Sequence, residues 1–148
     1  MEKAFIEYLE TIGIKGDLLP KIENIYTFFE KYLEYKIENI FVSEYINKEG
    51  GRVYENLWFF NSDFCFEAKQ FNTQEDFDSC ILKHNIDYYS IKKTDFDIIS
   101  NSTTDNSRMN LEFHFKNSSI GGDMKASREN CKKLSEIFKT YIKINHVK

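Results

Sequence analysis

Two pairs of aspartates are the residues of this chain whose spacing could support chemistry. Asp95 and Asp97 are separated by one residue, and Asp76 and Asp78 have the same spacing. Side chains two positions apart share one face of a strand, so each pair could act in acid–base chemistry or hold a hard cation such as Ca²⁺. Neither pair is followed by the rest of a calcium-binding loop. Because this spacing is common next to loops, we predict no metal and no cofactor.

Histidine and cysteine give no catalytic or metal-binding pattern either. No histidine has a Cys, a Ser or a second His at the spacing of a metal site or a catalytic triad. The cysteines lack a Cys-x-x-Cys pair, and we interpret them as buried thiols in a reducing compartment. An enzyme is therefore not the preferred hypothesis. The residues are His84, His114, His146, Cys65, Cys80 and Cys131.

The net charge and the distribution of apolar residues limit the kinds of partner that this protein is expected to bind. The formal net charge of −4 argues against non-specific nucleic-acid binding, which needs phosphate-neutralising Lys and Arg on one face. No apolar run approaches the roughly 20 residues of a membrane-spanning helix. The first residues lack the apolar region of a secretory signal. We therefore expect a cytoplasmic protein that has no membrane span and no nucleic-acid partner.

Aromatic residues make up 16% of the chain, a high share. Trp58 precedes the pair at 59–60, and a second pair lies at 88–89. Adjacent side chains on a strand point to opposite faces, so some of these rings should be exposed unless the N-terminal helices cover them. Exposed aromatic patches are typical of protein interfaces. We predict Trp58, Phe60 and Tyr89 as binding residues.

Helices and strands follow one another in a simple order. Apolar residues at helical spacing predict one helix over 2–12 and a second over 17–35, each with one face for the core. Asp17 is the expected cap of the second helix. Short runs of strand-forming residues separated by turns extend from 37 to 126, with one of the turns expected at His84 and Asn85. The clearest strand is 108–116, in which apolar and polar residues alternate. A clean amphipathic helix over 127–142 closes the pattern, with Ser127 as its expected cap.

Seven consecutive antiparallel strands and a closing helix resemble the pleckstrin-homology-like (PH-like) superfold. In that fold two sheets pack nearly at right angles, and the helix covers one open end. The resemblance covers 37–142, and the first two helices are an added element. Together they predict an α+β protein: two N-terminal helices, then a seven-stranded antiparallel PH-like barrel or sandwich capped by a C-terminal amphipathic helix. The predicted organisation is a helical pair at 1–36 packed on a PH-like domain at 37–148. Phe138 or Tyr141 would replace the tryptophan that many members carry in the last helix.

Lipid-binding members of that superfold carry basic residues around the first hairpin. The residues in the matching region here are Lys48, Arg52 and Lys69. Glu49 and Glu67 lie beside them, which makes a poor cradle for phosphate. The resemblance therefore does not lead us to expect phosphoinositide binding.

Three functional hypotheses follow. The first is a non-enzymatic, cytoplasmic PH-like module that binds a protein, with a possible homodimer through the N-terminal helices. The second is an NTF2-like cone that binds or transforms a small molecule, with Asp95, Asp97 or His114 lining its cavity. The third is an acidic immunity-type inhibitor of a basic protein, which charge and size alone suggest.

Overall fold

The computed structural model describes residues 1–62, 64–72, 81–85, 90–94, 107–114 and 121–142. Two helices come first, antiparallel strands follow, and a helix that continues into a π-helical turn comes last, so the α+β class is confirmed. Among the described residues, no helix combines the length and apolar character needed to cross a membrane. The elements are α1 (Lys3–Thr11), α2 (Leu18–Tyr32), β1 (Asn39–Ile46), β2 (Arg52–Phe60), β3 (Phe64–Lys69), β4 (Ile81–Asn85), β5 (Ser90–Thr94), β6 (Arg108–His114), β7 (Gly121–Ser127), α3 (Asn130–Ile137) and the π-helical turn Phe138–Ile142.

The described strands form two separate antiparallel sheets rather than one closed barrel. One sheet has the order β1-β2-β3-β4 and the other has the order β5-β6-β7. Within each sheet, every strand pairs with its neighbour along the chain, as short turns between strands favour. The prediction of a seven-stranded PH-like barrel is therefore wrong, although the sequence order of helices and strands was anticipated.

The reason lies where β1 and β7 meet. The Lys125 backbone N–H donates to Ser43 Oγ at 2.9 Å, and the Ser127 N–H donates to the Glu44 carboxylate at 2.6 Å. The register of β1 against β2 also slips between Ser43 and Glu44. Such a bulge redirects side chains and interrupts regular pairing. In a closed barrel, the backbone N–H groups of β7 would donate to main-chain carbonyls of β1. Here two of them donate to side-chain oxygens of β1 instead.

The first sheet is covered on both faces, which explains its continuous apolar runs. Leu57 and Phe59 pack in a core cluster with α1 and α2, whereas Trp58 and Phe60 pack in a second cluster with β6, β7 and α3. Neighbouring side chains of a strand point to opposite faces. All four are at most 2% exposed. Trp58 and Phe60, the β2 rings that we predicted as binding residues at the surface, are thus both buried in the second cluster.

The helical patterns were predicted better than the helix ends. Ile22, Ile25, Tyr26 and Phe29 form the buried face of α2, as the 3–4 spacing indicated. This face packs in the core with the first sheet, and a homodimer through the helices stays a prediction. The predicted cap by Asp17 is wrong, because its side chain makes no capping hydrogen bond.

Two predictions placed residues in the wrong element. Ser127 was expected to cap the last helix, but it is the final residue of β7, and α3 begins at Asn130. The turn expected at His84 and Asn85 is also wrong, because both residues belong to β4. Ser127 forms a tertiary hydrogen bond to Glu44 instead, and local sequence carries no sign of it.

Candidate functional site

The predicted aromatic patch is not a surface in the structure. Trp58 is fully buried and Phe60 is 2% exposed, so the expectation that these rings are exposed is wrong. Phe60 stacks on Tyr141, with ring centroids 5.0 Å apart and planes 22° apart. Tyr141 therefore packs within the second core cluster. Tyr89 lies outside the described residues.

The predicted basic hairpin does not act as one group. Lys48 and Lys69 are exposed, whereas Arg52 is directed into the interior. The Arg52 side chain is 13% exposed and forms ion pairs with Glu44 and Glu129. The charge of Arg52 therefore stabilises contacts within the fold and is not directed toward a phosphate.

The acidic and histidine candidates receive little structural support. Asp76, Asp78, Asp95 and Asp97 lie outside the described residues, so their predicted roles stay untested. His114 is the last residue of β6, paired in register with Gly121. Within the part of the chain that the structure describes, no group of three or more His, Cys, Asp or Glu side chains could hold a metal ion.

A fully buried carboxylate, Glu44, forms the centre of a polar network that sequence reasoning missed. Its Oε1 accepts from Arg52 Nε at 2.9 Å and from the Ser127 hydroxyl. Its Oε2 accepts from the Ser127 backbone N–H at 2.6 Å and from Asn130 Nδ2 at 2.9 Å. The signal in the sequence was an acidic residue inside the apolar run of β1, with an arginine across the hairpin at Arg52.

Tyr8 and Asn130 extend this network along the edge of β1. The Tyr8 hydroxyl donates to Asn130 Oδ1 at 2.7 Å and accepts from the Val42 N–H at 3.0 Å. Asn130 Nδ2 also donates to the Val42 carbonyl at 2.9 Å. Burial raises the pKa of Tyr8 well above its usual range, so the hydroxyl stays protonated and can donate. Side chains from α1 and α3 thus satisfy backbone groups of an edge strand.

Arg52 connects the network to the end of α1 and the start of α3. Its Nη1 donates to the Ile12 carbonyl and to Glu129 Oε1, both at 2.8 Å. Tyr54 donates to the same Ile12 carbonyl at 2.6 Å. Burial by itself lowers the pKa of Arg52, but the hydrogen bond to Glu129 and the charges of the neighbouring carboxylates raise it overall. The guanidinium therefore stays charged.

We call these five residues the Glu44 clasp: Tyr8, Glu44, Arg52, Ser127 and Asn130. The clasp joins α1, both strands of the first hairpin, β7 and α3. Two donors reach each oxygen of the carboxylate, so both oxygens are already engaged in hydrogen bonds of the fold. The geometry favours a structural role for Glu44 rather than general-base catalysis.

A cleft of about 520 Å³ opens beside the clasp, between the end of β1, the start of β6 and the end of β7. Lys125 lies within it, with its Nζ 3.5 Å from Glu55 Oε1 and 5.6 Å from the centroid of the Tyr45 ring. Tyr45 is 39% exposed at the rim. Ile46 and Met109 add apolar surface. The cleft therefore combines an aromatic ring, an ion pair and apolar walls, as binding sites commonly do.

Comparison of the chain with protein-family models, with curated proteins and with solved structures finds no match. The resemblance to the PH-like superfold therefore stays a prediction, and the function must be argued from the site alone.

Proposed function

We propose that this protein is a non-enzymatic binding module that contacts a partner protein through the cleft beside the Glu44 clasp. The observation that carries the proposal is Tyr45, whose ring is partly exposed at the rim with Lys125 against it. Tyrosine offers a large, rigid contact surface at a low cost in side-chain entropy, and it is enriched where interfaces gain most of their binding energy.

The character of the buried groups supports binding rather than catalysis. Glu44 lines the cleft, yet both of its oxygens are held by donors of the fold. The Cys65 thiol is buried, and burial raises its pKa, which makes it a poor nucleophile. A reduced thiol in the core also fits the cytoplasmic location that forms part of the proposal.

The partner can be sought in the cell that makes the protein. Tagged wild-type chain is isolated gently from its own host and weighed by native mass spectrometry, beside Tyr45→Ser and Tyr32→Ser. Tyr32 is a matched control, because it is an exposed tyrosine on α2, away from the cleft. We expect a stoichiometric protein partner with the wild type and with Tyr32→Ser, and its loss with Tyr45→Ser.

Two results would contradict the proposal. A partner that remains bound to Tyr45→Ser as firmly as to the wild type would place the contact elsewhere. A bare chain carrying a small-molecule adduct would favour the second hypothesis, since the volume of the cleft lies within the range of small-molecule pockets. If the partner protein were strongly basic, the result would favour the hypothesis of an acidic inhibitor.

A further inference from the structure

The side of α2 away from its buried residues carries a continuous row of side chains. They lie three or four residues apart, so they share one face of the helix, and the first of them directly precedes α2 with helical backbone angles. Four are exposed and two are half-buried. Tyr32, at 69%, is the most exposed large apolar residue in the described part of the chain. We call this set the α2 stripe: Asp17, Lys21, Asn24, Phe28, Lys31 and Tyr32.

The charges at the two ends of the stripe are not neutralised within the described residues. Asp17 makes no capping hydrogen bond, and neither Asp17 nor Lys31 forms an ion pair there. Lys31 Nζ lies 5.5 Å from the centroid of the Tyr32 ring, which carries no net charge. The Tyr32 ring also contacts Phe28, with centroids 5.8 Å apart. The stripe thus begins with an acid and ends with a base beside ordered aromatic rings.

A second copy of the stripe complements the first when the two helices run antiparallel. Asp17 and Lys31 are equally far from Asn24 on its two sides, so a two-fold axis beside Asn24 sets each Asp17 against Lys31 of the other copy. Gly16 and Tyr32 are related in the same way. A Cβ at Gly16 would meet no atom within 4 Å, so the Tyr32 ring of the second copy has room over that backbone. Parallel helices would instead oppose like charges, which is unfavourable.

We infer that two copies of this chain associate through the α2 stripe, as a two-fold homodimer with antiparallel α2 helices. The stripe is separate from the cleft, because α2 packs on the first sheet whereas strands line the cleft. The inference therefore goes beyond the proposed function and does not rest on it. A helix of 15 residues is roughly 22 Å long, so one helix pair buries less surface than a standard interface, and the dimer should be weak.

Sedimentation equilibrium of the purified full chain tests the inference. Protein concentrations from about 10 µM to about 1 mM cover the range in which a weak dimer forms. We expect the average mass to rise from 17.7 kDa toward twice that value as the concentration increases. We also expect the dissociation constant to increase with salt, because exposed charge pairs are screened.

Charge reversal at either end of the stripe should weaken the dimer, and mixing the two variants should restore it. Asp17→Lys and Lys31→Glu each replace two attractions by two repulsions, so we expect the dissociation constant to rise at least about tenfold. In an equimolar mixture, one chain has two basic ends and the other has two acidic ends, so every contact is again attractive. Lys132→Glu, at an exposed position of α3, is the control and should stay within about twofold of the wild type. Circular dichroism checks that each variant keeps its fold.

Three results would overturn the inference. The first is a wild-type chain that keeps the mass of one copy over the whole concentration range. The second is a dimer that both charge reversals leave unchanged, or reversed chains that stay apart when mixed. The third is a different protein, weighed with the chain from its own host, that Tyr32→Ser releases, because that protein would then occupy the stripe. The proposed function is judged separately, by whether Tyr45→Ser loses its partner.

Discussion

Two carboxylates are buried within the described part of the chain, and their hydrogen-bond environments differ. Glu44 is fully buried and receives two hydrogen bonds at each oxygen, with the Arg52 charge at one of them. Glu67 is 4% exposed, and among the described residues the hydrogen bond to its carboxylate comes from Asn56 Nδ2 at 2.8 Å. Burial and the charge of Asp123 raise the pKa of Glu67 to about 7, although Lys69 acts to lower it.

The contrast shows that burial alone does not determine what a charged group contributes. A buried carboxylate with a full set of donors and a cation can hold elements together, because its desolvation is offset by contacts of good geometry. A buried carboxylate with few donors instead favours its neutral form. Three substitutions test this difference, beginning with the one that should have the largest effect.

Removing the centre of the clasp should cause the largest loss. Glu44→Ala leaves the Arg52 guanidinium and the donors of Ser127 and Asn130 without their buried acceptor. We expect the free energy of unfolding to fall by about 3–5 kcal/mol, which is typical when one partner of a buried ion pair is removed. Urea unfolding at pH 7 followed by circular dichroism measures it. Glu10→Ala, at an exposed position, should stay within about 0.5 kcal/mol of the wild type.

Neutralising Glu67 should raise the free energy of unfolding above pH 7, whereas removing Glu44 should lower it. The pKa of Glu67 is about 7 in the folded protein and 4.5 without the fold, so the folded state holds its proton more tightly. The contribution of Glu67 to the stability of the folded wild type is therefore fully present below pH 4.5. It is lost as the pH rises from 4.5 to about 7. Glu67→Gln stays neutral at every pH and so does not lose this stability. We expect its free energy of unfolding at pH 8 to exceed that of the wild type by about 2–3 kcal/mol.

The measurement for Glu67 is urea unfolding at each pH from 4 to 8, with Glu55→Gln as a control on the neighbouring strand. The Glu55 side chain is 33% exposed and pairs with Lys125, so this variant controls for the loss of one negative charge at a partly exposed position. A Glu67→Gln variant that keeps the wild-type slope between pH 4.5 and 7 would show that Glu67 is not the group responsible.

The smallest of the three effects concerns the edge of β1. Tyr8→Phe removes the hydroxyl that accepts from Val42 and donates to Asn130, with little change in packing. We expect a loss of about 1–2 kcal/mol in the free energy of unfolding, since two buried polar groups lose a partner. Thr11→Val, at the exposed end of α1, serves as the comparison. If Tyr8→Phe were neutral, another group would have to satisfy the Val42 N–H.

The sequence predicted what local patterns can determine. The buried face of α2 follows from apolar residues at helical spacing, and the alternation in β6 follows from period two. The closure of the fold could not be predicted in the same way. Ser43 and Glu44 reach donors 82 and 83 residues away, and no local rule indicates which side chain will replace a main-chain acceptor.

The candidate site was missed for a related reason. Trp58 and Phe60 were expected at the surface because one face of a strand usually meets solvent, yet both faces of β2 are covered here. Arg52 was assigned to a basic hairpin because it lies at the first hairpin, where the resemblance implied basic residues, whereas Glu44 and Glu129 determine the direction of its side chain. Only the structure brings Tyr45 to the cleft with Lys125, which is 80 positions later in the chain.

The clasp also bears on how the chain reaches its fold during synthesis. Tyr8 and Asn130 are 122 residues apart, and Glu44 gains three of its four hydrogen bonds from Ser127 and Asn130. A ribosome that has released only the helices and the first sheet exposes a β1 edge with open backbone groups and a carboxylate lacking most of its donors. Contacts so distant in sequence form late. The nascent chain therefore spends most of its synthesis with a strand edge open to pairing with other chains, until α3 emerges to cover it.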